Sequence, residues 1–206
     1  MRRAPTSGQQ PRTAWCAGLA RVWQIGCLCL ALLALAVPAR AQGVELGTLE
    51  LRADEGTLAL EFSARLTLSR AIEDALRRGV PMYFDVEATL FRSRWYWRDE
   101  RVARVARSYR LSYQPLTGSW RVALGPLGQS YATLSEALAV ISRVSGWPLA
   151  EGSQLDADQR YYVEFSYRLD PTQLPQPLQI GLGNDWSLGT TRTVRVDERA
   201  IEAARR

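Results

Sequence analysis

The sequence contains no histidine and no lysine, and its three cysteines, Cys16, Cys27 and Cys29, all lie near the N-terminus. These absences exclude several kinds of active site from the chain after residue 41. Zinc centres built on His and Cys, Ser-His-acid triads and Cys-His pairs each need a residue type that is missing there. A lysine Schiff base is excluded in the same way. We therefore predict no cofactor, no metal site and no enzymatic activity.

Every one of the 26 basic residues is an arginine, and five of these arginines precede residue 42. No acidic residue lies before that point, so the rest of the chain carries 21 arginines against 21 aspartates and glutamates. A domain with a net charge near zero has no long-range field that could hold a polyanion. The charge balance predicts that nucleic acid is not a partner.

The first 41 residues have the order of a secretory signal peptide. A basic leader precedes an apolar run of 13 residues, Ile25 to Val37, and Ala39-Arg40-Ala41 supplies a small-x-small cleavage site. We expect cleavage between Ala41 and Gln42. The apolar run is shorter than the roughly 20 residues that a membrane-spanning helix needs. We predict export to the periplasm by the Sec route, with a membrane contact only if the segment stays uncleaved.

Residues 42–196 predict a single β-rich domain. Apolar and polar residues alternate in several segments, as in strands with one buried face. Turn signals separate the segments, and a change of parity at Gly47 predicts a β-bulge. The predicted strands are 44–51, 57–67, 80–91, 105–113, 120–124, 160–169 and 190–196. About seven such strands predict a mainly β protein, an antiparallel β-sandwich that is immunoglobulin-like in general architecture.

Two short helices complete the prediction. Ser69–Arg78 has an apolar stripe and ends before Gly79. Thr133–Ser145 begins with a capping box between Thr133 and Glu136. The stretch from Gly146 to Gly152 reads as a loop. We expect residues 197–206 to form a charged C-terminal tail that has helical character and is frayed.

One segment combines the residue types that dominate binding hot spots. It contains Arg94, Trp95, Tyr96, Trp97 and Arg98. If the preceding strand continued straight, both tryptophans would lie on its exposed face and form a binding stripe. If a bulge near 92–94 reversed the parity, they would pack in the core. Large aromatic residues in strands are usually buried, so we expect core packing and keep the exposed stripe as the binding hypothesis.

The one enzymatic device left open is a pair of carboxylates. Asp85 and Glu87 lie on the same outward face of one predicted strand, with Cβ atoms about 7 Å apart. A periplasmic hydrolase that uses this pair is therefore an alternative function, although two acids on a solvated face more often serve solubility.

The chain resembles the family called domain of unknown function 4390, which consists of exported proteobacterial proteins. The likeness rests on several short motifs in a fixed order: residues 79–84, 94–100, 109–113, 134–138, 168–170, 174–178 and 185–186. It implies a periplasmic protein of a Gram-negative cell and carries over no activity. Residues after Val196 lie outside it.

A weaker likeness is local. Val122 to Gly146 is similar to the strand-to-helix half of the sporulation-related repeat, which binds peptidoglycan. Together these observations predict a non-enzymatic interaction module that binds an envelope protein or a cell-wall component. A peptidoglycan-binding or other glycan-binding module is a second alternative to this reading.

Export makes a prediction at the cleavage site. The envelope fraction should contain a protein that begins at Gln42, because signal peptidase requires small residues at positions 39 and 41. Ala41→Arg should block processing, whereas Arg40→Gln, at the tolerant middle position, should not. N-terminal sequencing checks both variants, and an untrimmed 206-residue product in the cytoplasm would contradict the interpretation.

Overall fold

The computed structural model describes residues 43–96, 98–173, 186 and 188–206. Within these residues the chain forms nine strands and three α-helices. The strands are β1 (Gly43–Asp54), β2 (Thr57–Thr67), β3 (Met82–Arg92), β4 (Glu100–Gln114), β5 (Ser119–Leu124), β6 (Leu127–Tyr131), β7 (Arg143–Glu151), β8 (Tyr161–Leu169) and β9 (Gly189–Arg195). The helices are α1 (Arg70–Arg77), α2 (Leu134–Ile141) and α3 (Glu198–Ala204). The predicted cleavage site, Ala41 and Gln42, lies outside the described residues.

The first hairpin follows its sequence signals. β1 and β2 pair in antiparallel register from Gly43 opposite Thr67 to Asp54 opposite Thr57. Glu55 and Gly56 connect them with φ angles of 44° and 79°, the left-handed pair that a two-residue type I′ turn needs. The register shifts between Leu46 and Leu49, which confirms the bulge predicted at Gly47.

The strands form two antiparallel sheets. One has three strands in the order β1-β2-β7, and the other has six in the order β6-β5-β4-β3-β8-β9. The sheets pack against each other through aromatic rings, with the centroid of Phe62 in β2 lying 4.9 Å from that of Phe165 in β8. The predicted antiparallel β-sandwich is therefore confirmed. In the described residues it has two more strands and one more helix than the sequence indicated.

The core is centred on β3. Its inward residues, Met82, Phe84, Val86, Ala88 and Leu90, are all fully buried, as the alternating pattern predicted.

Two contacts join the six-stranded sheet to other elements of the fold. The buried hydroxyl of Tyr167 donates to the carbonyl of Ile141 at 3.1 Å, and burial raises the pKa of this phenol. The guanidinium of Arg107 lies 4.6 Å from the ring centroid of Trp147.

Two of the strands, β6 and β7, were not predicted from the sequence. β6 is a short strand that returns from β5 through Gly125 and Pro126. β7 occupies the last three residues of the predicted second helix and most of the predicted loop, and the helix ends at Ile141. Gly146 and Pro148 suggested a loop, but β7 is an edge strand, where proline is tolerated, and the register shifts around Gly146. Trp147 and Leu149 are buried, so β7 packs as a strand.

The first two helices begin where their caps predicted. In α1 the hydroxyl of Ser69 accepts from the amide of Ile72 at 3.2 Å. In α2 the capping box of Thr133 and Glu136 is formed in both directions. None of the helices in the described part of the chain has the length and hydropathy that crossing a membrane requires.

The C-terminal tail is helical, as its sequence indicated, but it is packed, so the expected fraying is wrong. Residues 198–204 form α3, with Asp197 as the N-cap, and α3 buries Ile201 and Ala204. Its contacts are with β1 and β2. The approach of its C-terminus to Gly152 is so close that a Cβ there would lie 1.9 Å from the carbonyl oxygen of Ala204. Only glycine permits this packing, so Gly152 fixes α3 against the sandwich.

This contact gives a stability prediction. Gly152→Ala should lower the free energy of unfolding by about 1–3 kcal/mol, the usual cost of overpacking, because α3 must move away. Gly43→Ala is the matched control, since no atom lies within 4 Å of the added Cβ. Urea unfolding of both variants measures the difference, and tryptic cleavage at Arg199 reports whether α3 detaches. Equal stability of the two variants would contradict the assigned contact.

Candidate functional site

The most unusual feature of the surface is the connection between β3 and β4. Arg92, the last residue of β3, pairs with Glu100, the first residue of β4. We call residues 93–99, which connect the two strands, the arginine–aromatic loop, and its described residues are 93–96, 98 and 99. At its start, the amide of Ser93 donates to the carbonyl of Arg160 at 2.8 Å. Beyond Ser93 the described part of the loop follows no strand, so strand parity no longer determines where its side chains point.

The loop directs aromatic side chains into solvent. Trp95 is 93% exposed and Tyr96 is 68% exposed. Their rings contact each other edge to face, with centroids 5.0 Å apart. Core packing, the outcome that we expected for the tryptophans, is therefore wrong for Trp95. Trp97 lies outside the described residues.

The arginines of the loop differ in their environment. Arg94 is half-buried and Arg98 is exposed. Arg94 and Arg92 both bind the carboxylate of Glu100, and the Arg92 Nη1 lies 3.3 Å from its Oε2. Arg92 also reaches Asp156 at 2.9 Å. A shared carboxylate between two guanidinium groups orders the base of the loop more effectively than isolated surface pairs would.

A second contact closes the loop. Asp99 accepts from the backbone amide of Arg94 at 2.9 Å and from the hydroxyl of Tyr162 at 2.7 Å. These two hydrogen bonds hold the pKa of Asp99 below its usual value, and the one from the Arg94 amide has the larger effect. Conversely, the hydrogen bond to the Asp99 carboxylate raises the pKa of Tyr162 to about 12. The loop is therefore tied to β8 by a hydrogen bond that is stronger when Asp99 is ionised.

Tyr162 also connects the loop to the outer face of the six-stranded sheet. Its ring stacks on Phe91 with centroids 5.3 Å apart and an interplanar angle of 18°. The pairing of β3 with β4 shifts between Leu90 and Phe91, where Val102 is the extra residue in β4. The extra residue therefore lies in β4, and β3 keeps its parity up to Arg92, without the change of parity that would have turned the tryptophans inward.

A cleft lies beside the loop, where β8 begins and β9 ends. Its volume is about 640 Å³. We call it the terminal cleft, and its lining residues are Ser93, Gln159, Arg160, Tyr161, Tyr162, Thr193, Arg195, Val196, Glu198 and Ile201. Ser93 belongs to both the loop and the cleft. The two features thus form one continuous surface.

The carboxylate pair lies elsewhere, on the outer face of β3. Glu87 binds Arg104 with an Oε2–Nη2 distance of 2.8 Å. The hydrogen bond from Arg104 is the largest cause that holds the pKa of Glu87 below its usual value. A general acid needs the opposite shift. Neither Asp85 nor Glu87 lines the terminal cleft.

The described residues also contain no group of three side chains placed to hold a metal ion. The arrangement at the loop suits recognition, since it combines exposed aromatic rings, ordered arginines and an adjoining cleft.

The sequence singles out the aromatic part of this site but not the way in which its base is held. Asp99 and Glu100 directly follow three closely spaced arginines, Arg92, Arg94 and Arg98, and this pattern indicates a turn with weak surface ion pairs. Strand alternation places Tyr162 on an outer face and gives it no role. The partners from β8 are some 60 residues away and needed the fold.

Residues 41–196 match the family described as Domain of unknown function (DUF4390), so the chain belongs to this family. The match includes the arginine–aromatic loop and every strand, whereas α3 lies beyond it. No curated protein matches the chain, and no solved structure does.

The Asp99 contact predicts a titration. Because the folded pKa of Asp99 lies below the ordinary 3.8, the contact stabilises the folded state above that pH and is lost as the pH falls through the lowered value. Tyr162→Phe should raise the Asp99 pKa only part of the way to 3.8, since the Arg94 amide still donates. Carboxyl NMR titration measures both values. A wild-type midpoint at or above 3.8 would contradict the contact.

Proposed function

We propose that this protein is an exported, non-enzymatic binding module of the cell envelope, and that its arginine–aromatic loop contacts a partner protein. The observation that carries the proposal is the exposure of Trp95 and Tyr96 on a loop whose base is fixed. The leader at residues 1–41 supports export, as does the absence of cysteine from the rest of the chain, which leaves no thiol to be oxidised.

Exposure of this aromatic pair is costly unless a partner covers it. A tryptophan side chain buries about 150–250 Å² in an interface. At about 25 cal/mol per Å², this amounts to about 4–6 kcal/mol of favourable transfer free energy. Trp95 could gain most of this on binding, because almost all of its surface is free.

The anchored base of the loop reduces the cost of binding. Arg94 is fixed by Glu100, and Asp99 is fixed by Tyr162 and the Arg94 amide. A loop that is already ordered loses less conformational entropy when it meets a partner. Arg98, which is exposed in the same loop, can in addition bind a carboxylate through two parallel hydrogen bonds. These features support a protein partner.

The two alternatives have weaker support. A hydrolase that uses Asp85 and Glu87 would need one carboxyl with a raised pKa inside a cleft, whereas the pKa of Glu87 is lowered by Arg104. A glycan-binding module has one favourable observation, the exposed ring of Trp95, because sugars stack on aromatic faces. However, Tyr96 meets Trp95 at 69°, so the two rings do not form one flat platform.

Site-specific crosslinking tests the proposal. With a photoreactive phenylalanine derivative at position 95, irradiation of intact cells should give a discrete protein adduct, because the partner covers this side chain. Leu116 is the matched control, since it is fully exposed in the β4–β5 turn. Addition of Tyr96→Ala should weaken the adduct at position 95, because half of the aromatic pair is lost.

The outcomes separate the functions. An adduct that disappears after muramidase digestion of the envelope would favour the glycan alternative. Adducts of equal yield from positions 95 and 116, or none from either, would refute the loop as a binding surface.

A further inference from the structure

The terminal cleft contains two arginines with no acidic partner. Arg160 lies directly before β8, and Arg195 ends β9. Arg195 pairs with Tyr162, so Arg160, two residues earlier, is its diagonal neighbour on the same face. Diagonal neighbours on adjacent strands have Cβ atoms about 7–8 Å apart. Both arginines line the cleft, and their guanidinium groups can therefore reach a common ligand.

Three of the nearby carboxylates are bound to other groups: Glu100 binds Arg92 and Arg94, Asp156 binds Arg92, and Asp99 accepts from Tyr162. Glu164 is the second diagonal neighbour of Arg195 on this face, but it does not line the cleft. In the described part of the chain, no ion pair involves Arg160 or Arg195. Among the lining residues, Glu198 is the single acid. The cleft thus keeps positive charge in a domain whose overall charge is balanced.

The other walls of the cleft suit a peptide. The ring of Tyr162 and the side chains of Val196 and Ile201 supply apolar surface, while Ser93, Gln159 and Thr193 supply hydrogen-bonding groups. The volume of about 640 Å³ is within the range of about 300–1,000 Å³ that is typical of ligand sites. Because Ser93 also begins the loop, a chain that covers Trp95 can continue into the cleft.

We propose that the terminal cleft binds carboxylate groups of an acidic peptide segment, through Arg160 and Arg195. This inference rests on the proposed function, because it assigns a chemistry to the partner that the arginine–aromatic loop contacts. Arginine binds carboxylates in a planar, bidentate geometry. Two arginines opposed by one glutamate fit a ligand with one or two carboxylates better than a polyphosphate or an anionic membrane, which need a larger cationic surface.

Binding of a model acidic peptide tests the inference. The probe is dye-labelled oligoglutamate, with oligoglutamine as the uncharged comparison, and fluorescence anisotropy with the full-length protein measures affinity. The double variant R160Q/R195Q should weaken oligoglutamate binding by about tenfold or more, since charge-assisted hydrogen bonds are lost. R110Q/R121Q is the matched control. It removes the same charge from two arginines of another cleft, on the β4–β5 side of the same sheet.

Three results of the binding experiment would overturn the inference. These are equal weakening by both double variants, no weakening by R160Q/R195Q, and equal affinity for oligoglutamate and oligoglutamine. It would also be overturned if inorganic phosphate displaced the probe as effectively as free glutamate did. Circular dichroism and thermal unfolding verify that all variants are folded.

Tyr96→Ala separates this inference from the proposed function. If the adduct at position 95 is lost in Tyr96→Ala but kept in R160Q/R195Q, the loop binds the partner and the cleft does not. If oligoglutamate binding depends on Arg160 and Arg195 while the loop gives no adduct, the cleft site stands and the function proposed for the loop fails.

Discussion

The two ion pairs of Glu100 fix the base of the arginine–aromatic loop. Glu100 lies opposite the last residue of β3 and binds both Arg92 and Arg94. The strand pairing ends there, and Trp95 and Tyr96 beyond it lie in solvent. A neutral residue at position 100 would leave the partly buried Arg94 without a counter-charge and Arg92 with Asp156 alone. The order of the loop base therefore depends on one carboxylate at the start of β4.

The sandwich is a scaffold that places this loop beside the terminal cleft. β3 is central in the six-stranded sheet, and its inward side is fully buried, so its end is fixed in position. β8 lies next to it and supplies Tyr162, whose hydroxyl reaches Asp99. The arginines then divide into two sets. Arg92 and Arg94 form ion pairs within the protein, whereas Arg160 and Arg195 form no ion pair in the described residues and remain available to a ligand. Arginine alone can fill both roles in a chain without lysine, because guanidinium groups form ion-pair networks within the protein as well as contacts with a ligand.

Patterns of local origin could be predicted from the sequence, and features that depend on distant partners could not. The alternation in β3 and β8 indicated both strands and their buried faces, and the caps of α1 and α2 indicated where these helices begin. β7 was missed because Gly146 and Pro148 are poor strand residues, and they are tolerated only at the edge position that β7 has in the sheet. The core position expected for Trp95 failed because it rested on the usual burial of aromatic residues in strands, whereas β3 ends at Arg92 and Trp95 lies in the loop that follows. The cleft could not be predicted, since Arg160 and Arg195 come together only through the pairing of β8 with β9.

The claim most central to this account is that the arginine–aromatic loop presents Trp95 to solvent while the sandwich stays folded. Hydroxyl-radical footprinting of the full-length protein tests it directly, because oxidation of each tryptophan follows its accessible surface. Trp120 and Trp147 are internal references, at 6% and 5% exposure, against 93% for Trp95. The account predicts rapid oxidation of Trp95 and slow oxidation of both references in the same sample. Protection of Trp95 to the level of Trp120 and Trp147 in the isolated protein would contradict it.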